Sequence, residues 1–508
     1  MKITWKRTIE ILLLILVLGS GLRFISLGHN SFVADEFLDM NSSYGYLQTG
    51  EWKAWDFNFG KPAEMNVNVA RDERAFVYKW QVAQVFKFLP PTEASARTIS
   101  ALWGIFTLLV MFWTAWFYTR KKSIGLIAAF LFAVSISGII FDRRLRMYAM
   151  FFPLFLGMAT AAYAFLESEY RGRIAFFKTV WEKYSVNLVY LPLFLILAWL
   201  SFSAHQLSAT IVPIGALYLG IMSWLAWRKT GGLKNKYSVL FIGGLALGII
   251  LLFTFQQAFA SFSKELTWLD DHYSYFGYLL SDFAHPLLGA TLIVLGIRYL
   301  ADKLKRPKEA LWLTLSFAVP LIMAVFFWNR NAGPQYIFFA QSFVLLLSAV
   351  GVYALWRFAR ENTTLLGKKA GLIALGLALL LVPNYGYFLS ENNTYHETSS
   401  GSNPNYRKVF GYFKKHKTEG EVLITRNFRN YYFAGAKVPV YDFGGELSTE
   451  KFSLAELNSI VGSNPHGWLI LSTNDYDYIS NDAEQFFKKN MERVSHSELR
   501  GPIEVYRW

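Results

Sequence analysis

Residues 335–356 read QYIFFAQSFVLLLSAVGVYALW, and no charged side chain stands between Arg330 and Arg357. As a helix, such a run is long enough to cross a hydrocarbon core of about 30 Å. It is followed at once by Arg357, Arg360, Lys368 and Lys369. The pattern of apolar run and basic flank repeats along the chain. Candidate spans fall at about 8–27, 97–119, 122–141, 147–166, 186–204, 207–227, 238–257, 284–301, 309–328, 335–356 and 370–388. This predicts a polytopic α-helical membrane protein with about eleven transmembrane helices. The composition agrees: of 508 residues, 54% are hydrophobic, 18% aromatic and 17% charged, which is more apolar than soluble domains are.

The charge pattern predicts the orientation. Net charge is +14, from 50 basic and 36 acidic residues. The excess gathers in alternate loops: Lys2/Lys6/Arg7, Arg120/Lys121/Lys122, Arg171/Arg173/Lys178/Lys183, Arg228/Lys229/Lys234/Lys236, Lys303/Lys305/Arg306/Lys308 and Arg357/Arg360/Lys368/Lys369. Positively charged loops stay inside, so these loops and the N-terminus are expected in the cytoplasm of a plasma (inner) membrane protein. An odd number of spans then puts the C-terminus outside. The same distribution points to a membrane and not to nucleic acid. The first apolar run has no clear small-residue cleavage site and reads as a retained signal anchor. Cysteine is absent, which excludes disulfides, thiolate metal sites and cysteine nucleophiles.

Residues 1–390 are therefore expected to form the membrane domain. Its first outside loop, 28–95, contains two amphipathic helical patterns, Glu36–Leu47 and Phe76–Phe88, of the kind that lie in a membrane interface. Beyond a polar linker, residues 391–508 have a soluble pattern. Helices are expected at Tyr406–Lys417, Ser453–Ile460 (with Ser453 as N-cap) and Ala483–Asn490. Strands are expected at Glu421–Thr425, Lys437–Tyr441, Trp468–Ser472 and Ile503–Tyr506, making an extracytoplasmic α/β domain. The sequence holds no internal repeat, no phosphate-binding glycine loop and no HExxH helix.

The residues able to carry chemistry cluster on the outside face. Asp35 and Glu36 follow the first span; such a pair can serve as a general base and its partner, or more plainly as acids favoured at a helix N-terminus. Asp72, Glu73 and Arg74 form a second charged cluster ahead of Lys79, which can face a phosphate or snorkel to headgroups. Asp142-Arg143-Arg144-Leu145-Arg146-Met147-Tyr148 puts three arginines outside, against the charge trend. Binding an anion such as a lipid phosphate is a reason for that placement, and contact with anionic headgroups is the plainer one. His205 closes the fifth span on this face, while Arg330, Gln335 and Tyr336 open the tenth.

The arrangement resembles the GT-C glycosyltransferases, and within them the bacterial branch related to protein O-mannosyltransferases and lipid A aminoarabinose transferases. Asp35-Glu36 stands where that family has its acidic motif. Tyr46-Leu47-Gln48-Thr49-Gly50-Glu51-Trp52 is similar to the segment leading into its substrate loop. Ser95-Ala96-Arg97-Thr98-Ile99-Ser100-Ala101-Leu102-Trp103-Gly104 resembles the opening of its second span. Arg146-Met147-Tyr148 resembles the start of its fourth span, and Pro334-Gln335-Tyr336 its late Arg-Tyr motif. A C-terminal α/β domain is common there too. The chain departs from the pattern at Asp72-Glu73-Arg74-Ala75, where a proline pair is frequent, and at Gln335, where arginine is common.

The resemblance implies inverting transfer of a sugar from a polyprenyl-phosphate donor to an extracytoplasmic acceptor: a protein, a glycolipid or a cell-envelope glycan. Asp35 would be the base and Glu36 its positioning partner. Arg143, Arg144, Arg146, Lys79 and Arg330 would hold the donor phosphate. Asp72, Glu73, Arg74, Tyr148, His205, Gln335 and Tyr336 would contact substrate. No cofactor is clearly called for; on the residues themselves, Asp142 or Glu73 with His205 could hold a divalent cation on the phosphate, although no full ligand set is visible. Two other classes stay open on the residues alone. One is a lipid or solute transporter, disfavoured because the middles of the spans are nearly free of charge. The other is a non-enzymatic membrane scaffold.

Overall fold

The computed structural model of the chain describes residues 3–33, 35–63, 73–254, 266, 271–329, 332–362, 368–398, 401, 403–443, 451–496, 499 and 502–508. Two compact units emerge. The first gathers Met1–Phe24, Ser100–Asp142 and Met147–Tyr387; the second gathers Ile25–Ile99, Arg143–Arg146 and Phe388–Trp508.

The first unit is helical. Among the described residues five helices are long and apolar enough to cross a membrane: Glu93–Thr119, Tyr148–Glu167, Gln206–Thr230, Pro307–Phe326 and Phe338–Asn362. The first turns of Glu93–Thr119 belong to the second unit. Lys122–Ala133 and Ile136–Asp142 add a sixth if taken as one span bent by 60°. The bend has a local cause. The Ser135 hydroxyl accepts from Gly138 N at 2.9 Å and donates to Asp282 at 2.7 Å, so a side chain interrupts the backbone ladder.

Among the described residues, then, five or six of the eleven expected spans meet the length and composition of a membrane crossing. The remaining five are also helical. Tyr190–Ala204, Lys236–Ile250 and Lys369–Leu381 are shorter apolar helices, and Pro286–Arg298 has 13 residues. Trp5–Phe24 carries Lys6, Arg7, Glu10 and Arg23. Large apolar side chains along these helices, among them Leu14, Val17, Leu193, Trp199, Ile249 and Leu380, are uncovered. That is what lipid-facing surfaces require. Inside the unit, helices Pro286–Arg298 and Gln341–Asn362 meet backbone to backbone. A Cβ on Gly296 would collide with Leu347 O, and one on Gly351 with Leu292 O. Small residues permit that approach where apolar surface gains nothing over lipid.

The second unit is mixed. It opens with helices Asp35–Thr49 and Phe76–Val85, separated by a short hairpin of β1 (Trp55–Asp56) and β2 (Lys61–Pro62). Its main sheet holds β3 (Val422–Ile424), β4 (Val440–Tyr441), β5 (Gly467–Ser472), β6 (Glu492–Arg493) and β7 (Ile503–Arg507), in the order β4-β3-β5-β7-β6. The β4–β3–β5 half is parallel, and β5–β7–β6 is antiparallel. Helices Tyr406–His416, Leu454–Ser463 and Asn481–Asn490 accompany it. Ser453 caps the second of these in a full capping box with Glu456. The apolar core is built from Ile424, Leu457, Leu469, Leu471, Phe487 and Tyr506 among others.

The two helices expected at the membrane surface exist with nearly the expected bounds, but much of the first is covered by protein. Helix Asp35–Thr49 buries Glu36, Asp39 and Ser42 as well as Phe37 and Met40. Asn41 Nδ2 donates to Phe428 O at 3.0 Å, and Phe37 packs against Phe428 and Tyr432. The hairpin is stitched to the sheet region by Asn58 Nδ2 to Val438 O at 2.8 Å and by Gly435 N to Phe57 O at 3.0 Å.

Candidate active site

Helix Asp35–Thr49 puts Asp35 and Asp39 one turn apart on the same face. Arg146 answers both. One Nη lies 2.9 Å from Asp35 Oδ2 and the other 2.8 Å from Asp39 Oδ2. Asp39 is buried and also lies 3.5 Å from Lys79 Nζ, which is itself buried and donates to Ser42 at 3.4 Å. Lys79 therefore does not snorkel. The Asp35 carboxylate is the exposed member of this group, with its side chain 47% accessible.

Glu36 points the other way. Arg97 grips it as a fork, Nε to Oε1 at 2.8 Å and Nη2 to Oε2 at 2.9 Å. Leu145 N donates to Oε1 at 2.7 Å and Val33 N to Oε2 at 3.0 Å. Both oxygens are thus doubly engaged in a site 1% exposed, which leaves no room for a substrate. Burial alone would raise the Glu36 carboxyl above its ordinary 4.5. The Arg97 charge and fork, the Leu145 amide and the nearby Arg144 outweigh burial and hold it below that value. Arg97 also donates to the carbonyls of Leu27, Asn30 and Ser31. Glu36 thus fixes the segment that presents Asp35.

The three arginines at 143, 144 and 146 have separate surroundings. Arg143 donates to Ile25 O at 2.7 Å, Ser26 O at 3.1 Å and Thr394 O at 3.2 Å, and lies 4.5 Å over the Tyr395 ring. It ties three chain segments together. Arg146 holds Asp35 and Asp39. Arg144 is half-buried.

The Asp35 side of this unit opens into a cavity of about 270 Å³. Its walls include Tyr406, Arg426, Arg429, Asp475 and Tyr478. Arg429 and Asp475 form a fork with both contacts at 2.7 Å, and Asp475 also accepts from Ser472 N at 2.7 Å.

Of the other sequence candidates, Asp72 and Arg330 lie outside the described residues, while Glu73 and Arg74 are exposed. Tyr148 and His205 are buried in the first unit, 5.5 Å apart, with Phe151 also against His205. His205 Nδ1 accepts from Leu207 N at 3.1 Å. Gln335 and Tyr336 lie partly buried in a single 3-10 turn, Pro334–Tyr336. Asp142 faces Arg23, which is fully buried, at 2.7 Å. Among the described residues no three His, Cys, Asp or Glu side chains gather, and Asp142, Glu73 and His205 do not assemble an oxygen-rich cation site.

Sequence reasoning missed Asp39, Arg97 and the cavity walls. The four-residue spacing from Asp35 was a usable signal for Asp39.

No sequence-family profile matches the chain, and no curated protein does. Solved structures do match. The oligosaccharyltransferase of Archaeoglobus fulgidus in its apo form aligns with a TM-score of 0.64 at 12% identity, over 95% of this chain and 72% of that one. The same protein, AglB, in complex with an inhibitory peptide and a dolichol-phosphate aligns with a TM-score of 0.62 at 11% identity, over 96% and 73%. ArnT from Cupriavidus metallidurans, bound to undecaprenyl phosphate, aligns with a TM-score of 0.51 at 10% identity, over 98% and 97%. Over nearly its whole length the chain has the fold of the GT-C glycosyltransferases.

Proposed function

We propose that this protein is an inverting glycosyltransferase that moves a sugar from a polyprenyl-phosphate donor to an extracytoplasmic acceptor, with Asp35 as the base. The observation that carries the reading is the Asp35 carboxylate, oriented by Arg146 and opening into a polar cavity. It gains weight from a fold shared end to end with a protein bound to undecaprenyl phosphate. In the reaction, the acceptor hydroxyl or amine gives its proton to Asp35 and bonds to the anomeric carbon. The bond from that carbon to the phosphate oxygen breaks, and polyprenyl phosphate departs with the electron pair. Phosphate leaves readily, so the charge it gains needs stabilising cations more than an acid. Arg144 and Arg330 are the arginines assigned to it.

The same reading takes all eleven helices as spans, with the N-terminus cytoplasmic and residues 391–508 outside. One observation supports that orientation. The loop 28–95, the arginines at 143–146 and the C-terminal region all fall on the outer face by the charge rule, and these are the segments that cluster into the second unit. The test is release of free polyprenyl phosphate by the purified protein in lipid from a panel of polyprenyl-phosphate sugars, with cell extract as acceptor. Release is expected from one donor class; no release from any of them contradicts the proposal.

A further inference from the structure

Arg426 stands out among the cavity walls. It is 5% exposed. Its guanidinium lies 4.2 Å over the ring of Tyr478 and 5.0 Å over that of Phe428. Its Nε has no hydrogen-bond partner among the described residues, and no carboxylate there stands within ion-pair distance of it. Its neighbour Arg429 differs, being forked onto Asp475. Asp442 interacts with Arg426 electrostatically but does not reach ion-pair distance, so the buried guanidinium has lost water without gaining a direct anionic contact, which is costly. Such a group is stabilised when an oxyanion enters.

We propose that the cavity is the acceptor subsite, and that Arg426 recognises a carboxylate or phosphate carried by the acceptor close to its nucleophile. This rests on Asp35 being the base, since whatever shares the cavity with the base is the group to be deprotonated. The walls fit that role. Asn474 offers hydrogen-bonding groups for a sugar beside the carboxylates of Asp35, Asp475 and Asp477, and the volume of about 270 Å³ admits a ring-sized group. Arg426 follows β3, an inner strand of the main sheet, and so belongs to residues 391–508, the region that the proposed orientation puts outside the membrane. That favours an anion arriving from water over the phosphate of a lipid donor.

The test is binding of methyl glucuronide, methyl glucoside and undecaprenyl phosphate to the full-length protein in lipid nanodiscs. The wild type should hold the glucuronide roughly tenfold or more tighter than the uncharged glucoside, as expected for one charge-assisted contact. Arg426→Gln should erase that preference, and Arg426→Lys should restore part of it. Equal binding of the two sugars by the wild type overturns the proposal, whatever the variants do. Displacement of the glucuronide by undecaprenyl phosphate, dependent on Arg426, also overturns it, because the anion would then be the donor's. Asp35→Asn should keep the glucuronide preference. Failure of Asp35 as base would appear in transfer and not in this binding, so the two claims fail separately.

Discussion

Arg146 Nη2 lies 2.9 Å from Asp35 Oδ2, and this contact orients a half-exposed carboxylate in the wall of the cavity. The other Nη of Arg146 holds the buried Asp39 at 2.8 Å. One guanidinium thus ties the proposed base to a fixed anchor one helical turn away. Replacing Arg146 by Ala should cost about 3–5 kcal/mol of stability, because Asp39 is left buried with Lys79 as its remaining cation. Arg146→Lys should keep more stability but lose the two-point geometry, and transfer should fall with it. Thermal unfolding and transfer rate, measured together, check this; an Arg146→Ala protein of unchanged stability contradicts it.

Glu36 is expected to behave as a structural acid. Its folded-state pKa lies below the ordinary 4.5, so it stabilises the fold above that pH. That contribution disappears as pH falls through the lowered folded value. Glu36→Gln should destabilise by about 3–5 kcal/mol, since Arg97 then stays buried without its anion. The difference in stability between wild type and Glu36→Gln should shrink on acidification below about pH 4.5. Unfolding midpoints across pH 3–7 measure it, and a constant difference would refute the assignment.

Arg143 and Arg144 should separate cleanly. Arg143→Ala removes donors from three backbone carbonyls and should raise protease sensitivity around residues 25 and 394. Arg144→Ala should raise the donor KM by roughly tenfold to a hundredfold, the worth of one charged hydrogen bond, with a smaller loss of stability than Glu36→Gln. A donor effect confined to Arg143→Ala would reverse these roles.

Gly351 should not accept a side chain. A Cβ there meets Leu292 O on the facing helix, and backbone cannot move aside as a flexible side chain can. Gly351→Val should reduce folded yield in detergent, whereas Gly376→Ala, at a glycine with open space around it, should not. Size-exclusion profiles of the two variants decide it.

The parts of this architecture legible in the sequence are those with short-range signals. Apolar runs with basic flanks mark helices, though Tyr190–Ala204 and the bend at Ser135 show that length and straightness depend on packing. Ser453 with Glu456 announces a capped helix, and the structure forms that box. Strand β6 escaped because two residues, Glu492 and Arg493, carry no alternation. The fork between Arg97 and Glu36 joins residues 61 apart, and no periodicity points to it. Arg426 was invisible for the same reason. It is one of 50 basic residues, and only the fold shows that aromatic rings and burial isolate it.

The central claim is that Asp35 takes the acceptor proton. The direct measurement is acceptor-dependent release of polyprenyl phosphate by wild type and Asp35→Asn in the same lipid, with unfolding midpoints to confirm that both are folded. The account predicts a loss of about 10²–10⁴-fold in the variant, the usual scale for removing a general base, with the donor KM little changed. A folded Asp35→Asn protein that transfers at close to the wild-type rate would contradict it.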